Sequence, residues 1–339
     1  MNFAQTLVWP LTVPYGAVAR LRARAHEIGL LKSNRLDAHV ISVGNLTVGG
    51  TGKTPMVLWI AQRLLDESKQ TGILTRGYRG TTHAGGSTSD EVQLLESRLG
   101  KRIAIGVGAD RYSRGRELEA RGIAWLVLDD GFQHLQLARD VDIVLIDATS
   151  PFGRLLPSGP MREPKTALRR ADIVVVTRSS RAVAVEAVVR RETNAPIFYA
   201  RPWLDSLHAV SGDAVLDLRE ARRKKWFVFC GIGNPAAFVA DLREWGFDVC
   251  GPRFFRDHHR YTQAEIDELC RQARAAGAAG LLCTEKDRFN LTAVESFALD
   301  AAYCRITMQV DRAKELWSEI ETRAAIAHSK KTDAAPVVK

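Results

Sequence analysis

The stretch Thr47-Val48-Gly49-Gly50-Thr51-Gly52-Lys53-Thr54 decides how this chain is read. It follows a short apolar run, His39 to Val43, and precedes Pro55 to Ser68, in which Val57, Ile60, Ala61, Leu64 and Leu65 recur at helical spacing. Pro55 falls in the first turn of that helix, where a missing N–H costs little. A glycine-rich turn between strand and helix lets backbone N–H groups converge on phosphate oxygens without Cβ clashes, and the helix N-terminus adds positive potential. In this setting Lys53 is placed to reach β- and γ-phosphates and Thr54 to ligate Mg²⁺, so residues 47 to 54 form an expected nucleotide cradle. The strict pattern has glycine where this chain has Thr47, but Gly49, Gly50 and Gly52 still free the backbone.

A Mg²⁺-nucleotide site also calls for a carboxylate at the end of a neighbouring strand. Leu126-Val127-Leu128-Asp129-Asp130-Gly131-Phe132-Gln133-His134 supplies two, at the C-terminal end where open α/β sheets bind ligands. Successive strand residues point opposite ways, so one of Asp129 and Asp130 serves the metal and the other the transferred group or a neighbour. Asp147, after Ile143-Val144-Leu145-Ile146, is a similar strand-end acid and is read as structural.

Further apolar runs, Ile123 to Leu128, Asp142 to Ile146, Asp172 to Val176, Trp226 to Cys230 and Gly280 to Cys283, alternate with helix-length amphipathic segments. That alternation predicts an α/β fold: a parallel sheet of the P-loop NTPase kind flanked by helices, with a second, smaller α/β domain. The expected boundaries are an N-terminal membrane-associating segment over 1–30, the core over 31–205, a charged linker over 206–225, the smaller domain over 226–328 and a disordered tail over 329–339. Thr81 to Ser89, rich in Gly, Thr and Ser, reads as a loop.

Composition narrows the classes. The chain has 339 residues, with 48 Lys+Arg against 39 Asp+Glu and a net charge of +9. A basic balance raises nucleic acid as a partner, yet the densest cluster (Arg219, Arg222, Arg223, Lys224, Lys225) has no interleaved aromatic platform and no RNP, KH or finger motif is present, so none is expected. The five cysteines lack a C-x-x-C pair, which argues for buried thiols rather than a zinc module or disulfide framework. Leu7 to Ala19, with Trp9 and Tyr15, is followed by Arg20, Arg22 and Arg24; this order suits either an interfacial anchor on an anionic membrane or a helix packed on the protein's own core. Thr284-Glu285-Lys286-Asp287 superficially matches a guanine-binding signature, but its order is Thr-x-Lys-Asp and the reading fails at the lysine.

Several strings in fixed order carry a family resemblance. They are Val43-Gly44-Asn45-Leu46, Thr75-Arg76-Gly77-Tyr78, Asp90-Glu91, Asp129-Asp130-Gly131-Phe132-Gln133-His134, Leu156-Pro157-Ser158-Gly159-Pro160-Met161-Arg162-Glu163-Pro164 and Phe255-Arg256-Asp257-His258. Together they closely resemble the tetraacyldisaccharide 4'-kinases, the lipid A kinases of Gram-negative bacteria, over about residues 10 to 325. The resemblance implies an ATP- and Mg²⁺-dependent kinase, peripheral on the cytoplasmic face of the inner membrane. It would phosphorylate the 4'-hydroxyl of an acylated glucosamine disaccharide 1-phosphate, without an obligate protein partner, to form lipid IVA. It also implies Asp90 as the base and His258 as its partner, with Lys53 and Asp130 as further catalytic groups. Thr54, Asp129 and Asp130 would then hold the metal, and Arg76, Tyr78, Glu91, Arg111, Gln133, His134 and Arg162 the substrate. His259 competes with His258, and a surface salt bridge competes as the role of Arg111. Asp90 and His258 fall in different α/β regions of this reading and would meet only across a cleft. Ser89 and Val92 stand where family members often have Gly and Pro.

Overall fold

Strand β1 (His39–Asn45) is buried from its second residue onward, because it is hydrogen-bonded on both sides and covered on both faces. The computed structural model describes residues 11–77 and 89–333. Within them the chain divides into two compact units, one formed by residues 11–77, 99–201 and 309–333, the other by 89–98 and 202–308.

In the first unit β1 lies between β4 (Trp125–Asp129) and β5 (Val141–Asp147). β2 (Thr71–Thr75) and β3 (Ala104–Val107) extend the sheet on one side, and β6 (Ile173–Thr177) and the start of β7 (Ile197–Ala209) on the other. Every pairing in this series is parallel, which explains the near-continuous apolar runs of β1, β5 and β6. Helix α2 (Lys53–Asp66) packs on β1, β2 and β4 through Met56, Val57, Ile60, Ala61 and Leu64; Leu65, expected on the same face, is half-buried. The C-terminal helix (Ala313–Asp333) packs on β1 and β5 with Leu316, Ile320 and Ala324 buried. It runs on to Asp333, so residues 329–333 of the expected tail are helical, and 334–339 lie outside the described residues.

The second unit has its own parallel series: β10 (Asp248–Phe254), β9 (Lys225–Cys230), β11 (Gly280–Thr284) and β12 (Asp300–Val310). Alternation along β9 sends Trp226, Val228 and Cys230 into one apolar cluster and Phe227 and Phe229 into the other. The expected linker over 206–225 is regular structure. It holds the end of β7, its short antiparallel partner β8 (Val215–Leu216) and a helix (Leu218–Arg223) whose first N–H groups are accepted by Asp217. Charged residues on the solvated side hid the buried Leu207 and Ala221 in this stretch. Four of the five cysteines are buried, Cys250 is half-buried, and all are free thiols.

Helix α3 (Asp90–Leu99) belongs by its contacts to the second unit, through Arg98, which pairs with Glu285 at 3.2 Å and donates to the Ile306 carbonyl at 3.1 Å. Asp90 therefore shares a unit with His258, and the expected meeting across a cleft is replaced by a contact inside one unit. Residues 81–88 of the expected loop lie outside the described residues.

Gly44 illustrates how tightly the first sheet is closed near its loops: a Cβ there would stand 2.5 Å from Phe132 Cβ and 2.7 Å from the Phe132 amide nitrogen. Both neighbours are fixed by a fully buried ring. Gly44→Ala is expected to lower unfolding stability by about 1–3 kcal/mol, read from the midpoint of a urea titration.

Candidate functional site

The chain leaves β1 at Asn45 and turns through residues 47–52 into α2. Gly49 and Gly52 have φ of 110° and 89°, a region open to glycine and costly for other residues, so these two positions need the glycines they have. Asn45 Nδ2 donates to Thr51 Oγ1 at 2.8 Å, and Thr177 Oγ1 donates to the Thr51 carbonyl at 3.0 Å. The loop is also laced to the Leu156–Glu163 motif: Val48 N–H donates to the Pro160 carbonyl at 2.8 Å and Arg162 N–H to the Leu46 carbonyl at 2.7 Å.

Asp129 and Asp130 end β4 beside this loop. Asp130 adopts φ of 51° and its carboxylate is held by Arg162 Nη1 at 2.6 Å and Lys53 Nζ at 3.5 Å. Burial pushes the Asp130 carboxyl up, but the charges of Lys53 and Arg162 more than offset this and hold it below the usual range. Asp129 is buried, with Thr75 Oγ1 3.5 Å from its Oδ2. Gln133 links the two segments, donating to the Asn45 carbonyl at 2.9 Å and accepting from Arg162 at 3.4 Å.

Arg111 is only 6% exposed, which overturns a surface salt bridge as its role. One Nη donates to the Ala109 carbonyl at 3.0 Å, and Nε has no hydrogen-bond partner among the described residues. Burial and the neighbouring charge of Arg76 pull its pKa down, opposed by Asp130 and Asp129. His134 is pushed down to about 4 by burial and by Arg111 and Arg139, so at neutral pH it is an uncharged ring. Cationic and hydrogen-bonding groups thus gather where Lys53 meets the strand-end acids, a donor set suited to phosphate oxygens. Asp147 is engaged locally, accepting from Thr149 N–H at 2.9 Å and Thr149 Oγ1 at 2.6 Å, in keeping with a structural role.

The second unit carries a different cluster. Asp90, 5% exposed at the start of α3, accepts from His258 Nδ1 at 2.8 and 2.9 Å, from Asn290 Nδ2 at 3.0 Å and from the Glu91 N–H at 2.9 Å. Burial raises the Asp90 carboxyl, but the His258 hydrogen bond, the Lys286 charge and the Asn290 amide outweigh it, leaving an ionised carboxylate. The hydrogen bond to Asp90 raises the pKa of His258 against the opposing pull of burial and Lys286. His258 has φ of 61° and its N–H donates to the Gly231 carbonyl at 3.1 Å, while Gly231 N–H donates to the fully buried Asp287 at 2.7 Å. His259 is engaged elsewhere, stacked on Phe255 and 3.1 Å from Glu265, so His258 is the ring that meets Asp90.

Of the expected site residues, the first unit thus brings together the loop, Asp129, Asp130, Arg76, Arg111, Gln133, His134 and Arg162, and the second unit Asp90, Glu91 and His258. Tyr78 lies outside the described residues. Sequence reading missed Asn290, and it set Lys286 aside with the failed guanine signature. The available signal was that signature's position at the C-terminal end of β11, the edge at which α/β sheets place chemistry.

A family model described as tetraacyldisaccharide-1-P 4'-kinase matches residues 4–325. The chain is 40% identical over 306 residues to a tetraacyldisaccharide 4'-kinase of Anaeromyxobacter sp. (strain K), with 83% of this chain and 79% of that one covered. It is 35% identical over 332 residues to the Desulfotalea psychrophila enzyme of the same name, covering 89% and 93% of the two. Among solved structures it is similar to LpxK from Aquifex aeolicus in complex with ATP, with a TM-score of 0.71, 26% identity and coverage of 95% of this chain and 99% of that one. The chain therefore belongs to the tetraacyldisaccharide 4'-kinase family.

Proposed function

We infer that this chain is an ATP-dependent kinase that moves the γ-phosphate of ATP to the 4'-hydroxyl of a tetraacylated glucosamine disaccharide 1-phosphate in lipid A biosynthesis, giving lipid IVA. The observation that carries the reading to an alcohol acceptor is the buried Asp90 carboxylate, ionised and hydrogen-bonded to an imidazole at 2.8 Å. His258 Nδ1, Asn290 Nδ2 and the Glu91 N–H hold that carboxylate in its ionised form, the state that takes up a hydroxyl proton.

The hydroxyl oxygen forms a bond to the γ-phosphorus as the bond from that phosphorus to the β–γ bridging oxygen breaks, and the hydroxyl proton passes to Asp90 before release to solvent. Phosphoryl transfer of this kind is mostly alignment and charge neutralisation. The backbone N–H groups of Gly49, Gly50 and residues 52–54, together with Lys53, hold the triphosphate, the Val48 N–H being already given to the Pro160 carbonyl, and Arg162 and Arg111 supply positive charge for the transferring group.

Mg²⁺ fits the residues present. Thr54, Asp129 and Asp130 are hard oxygen donors, and Asp130 Oδ1 is buried with no hydrogen bond among the described residues, only the ion pair to Lys53 at 3.5 Å. Bound there, the ion would neutralise phosphate charge.

We place the protein at the cytoplasmic face of the inner membrane. Helix α1 (Thr12–Glu27) exposes Leu11 just before it, then Val13, Val18 and Leu21, with Ile28 and Leu30 just after it, beside exposed Arg20, Arg22 and Arg24. That surface suits insertion of apolar groups at an anionic headgroup boundary. No helix among the described residues is long and apolar enough to cross a bilayer.

The test is to mix purified protein, Mg-ATP and the disaccharide 1-phosphate in detergent and to look for a bisphosphorylated lipid by mass. Lys53→Ala and Asp90→Asn are each expected to lower turnover at least ~100-fold with an unchanged circular dichroism spectrum; near-normal rates in both would remove the mechanism. Val18→Glu combined with Leu21→Glu is expected to reduce the fraction of protein sedimenting with vesicles of anionic lipid, and unchanged sedimentation would end the membrane reading of α1.

A further inference from the structure

The signature Thr284-Glu285-Lys286-Asp287 forms a tight turn opening a short helix (Glu285–Arg288), and each of its side chains ties down part of the Asp90–His258 pair. Thr284 and Asp287 make a reciprocal capping box, with Thr284 Oγ1 donating to Asp287 at 2.6 Å. Asp287 also accepts from Tyr261 OH and Gly231 N–H, each at 2.7 Å, fixing the loop that presents His258. Glu285 pairs with Arg98 on the helix that begins with Asp90. Lys286 reaches the pair itself: its Nζ lies 3.4 Å from His258 Nε2, 4.0 Å from Asp90, 3.5 Å from Glu91 and 3.4 Å from Asp257.

An ammonium group has three donors and no acceptor. A ring nitrogen facing it at 3.4 Å is favoured as a lone pair, because a protonated nitrogen there would set two N–H donors head to head. The other nitrogen, Nδ1, then carries the proton and donates it to Asp90. Asp257 favours the opposite arrangement, but its carboxylate is 3.8 Å from Nε2, beyond hydrogen-bond range, and is itself engaged by Lys286. Among the described residues, the titratable groups facing the pair are Glu91 on the Asp90 helix, Asp257 on the His258 loop and Lys286 on the turn. The three acids together hold Lys286 in its charged form against the opposing effect of burial.

We propose that Lys286 is a positioning residue for this kinase reaction: by donating to His258 Nε2 it fixes the ring as the Nδ1–H tautomer, so that His258 donates to Asp90 and keeps the carboxylate ionised and oriented as the base for the acceptor hydroxyl. Lys286 does not touch the reacting atoms. It acts through His258, and the proposal rests on the reading of Asp90 as base given above.

The experiment has two arms. In the first, nitrogen-15 histidine-labelled protein is examined by two-bond nitrogen–proton correlation above the midpoint of the His258 titration, with His258→Gln to assign the signal. A protonated Nδ1 and an unprotonated Nε2 are expected in the full-length protein, and the reverse tautomer overturns the proposal whatever the enzyme's activity. In the second, Lys286→Met is expected to lower kcat about 10–100-fold with little change in KM. It should also move the acidic limb of the pH–rate profile upward by about one pH unit, because the lost cation no longer favours the deprotonated pair. Lys286→Arg, which keeps charge and donors, is expected to restore the limb. Loss of rate in Lys286→Met with the limb unmoved and a lowered melting temperature would mean a structural role and overturn the proposal. A wild-type protein without kinase activity would instead overturn the function reading, and the first arm would still decide the tautomer.

Discussion

The register of the central parallel ladder sets the geometry of the cluster formed by Lys53, Asp129 and Asp130. Val43 of β1 stands opposite Asp129 of β4, so the acids leave the sheet on the edge from which the chain enters the Thr47–Thr54 loop. Parallel pairing delivers strand C-termini to one edge without further design, and this is why loop and carboxylates meet at all. A slip of one residue would turn Asp129 to the opposite face. Asp130 then turns back through a left-handed conformation toward Lys53, a strained choice for aspartate that the ion pairs to Lys53 and Arg162 sustain.

The Asp90–His258 cluster obeys a different logic. No ladder fixes it; a buried carboxylate does. Asp287 is fully buried and gathers donors from Gly231, Tyr261 and Thr284, and burial raises its pKa even against those hydrogen bonds. Removing one such partner strands the others away from water. Gly231 has no room for a side chain, since a Cβ would meet the Arg256 carbonyl at 2.8 Å, so the His258 loop lies directly against the strand end.

These two origins explain what could be read in advance. The strands over His39–Asn45, Val141–Asp147 and Ile173–Thr177 are short, apolar and doubly covered, and hydrophobic runs announce them. That the loop and the Asp129–Asp130 pair lie side by side was legible because each follows the C-terminal end of a recognisable apolar strand. β7 was not, since its exposed Arg201 and Asp205 interrupt any alternation, and neither was β10, whose residues are half-buried or exposed along the strand. The grouping of α3 with the second unit depends on Arg98 meeting Glu285, and the choice of His258 over His259 on Glu265 capturing the latter. Contacts between residues so far apart in sequence leave no periodic trace.

The placement of the thiols has a practical side. All five cysteines fall within residues 202–308, so every thiol in the chain belongs to the unit that carries the imidazole–carboxylate pair. Four are shielded in its core and Cys250 alone is partly open. A maleimide dye added sparingly would therefore tag one strand of one lobe, giving a native fluorescent reporter on that half of the molecule without any engineered attachment point.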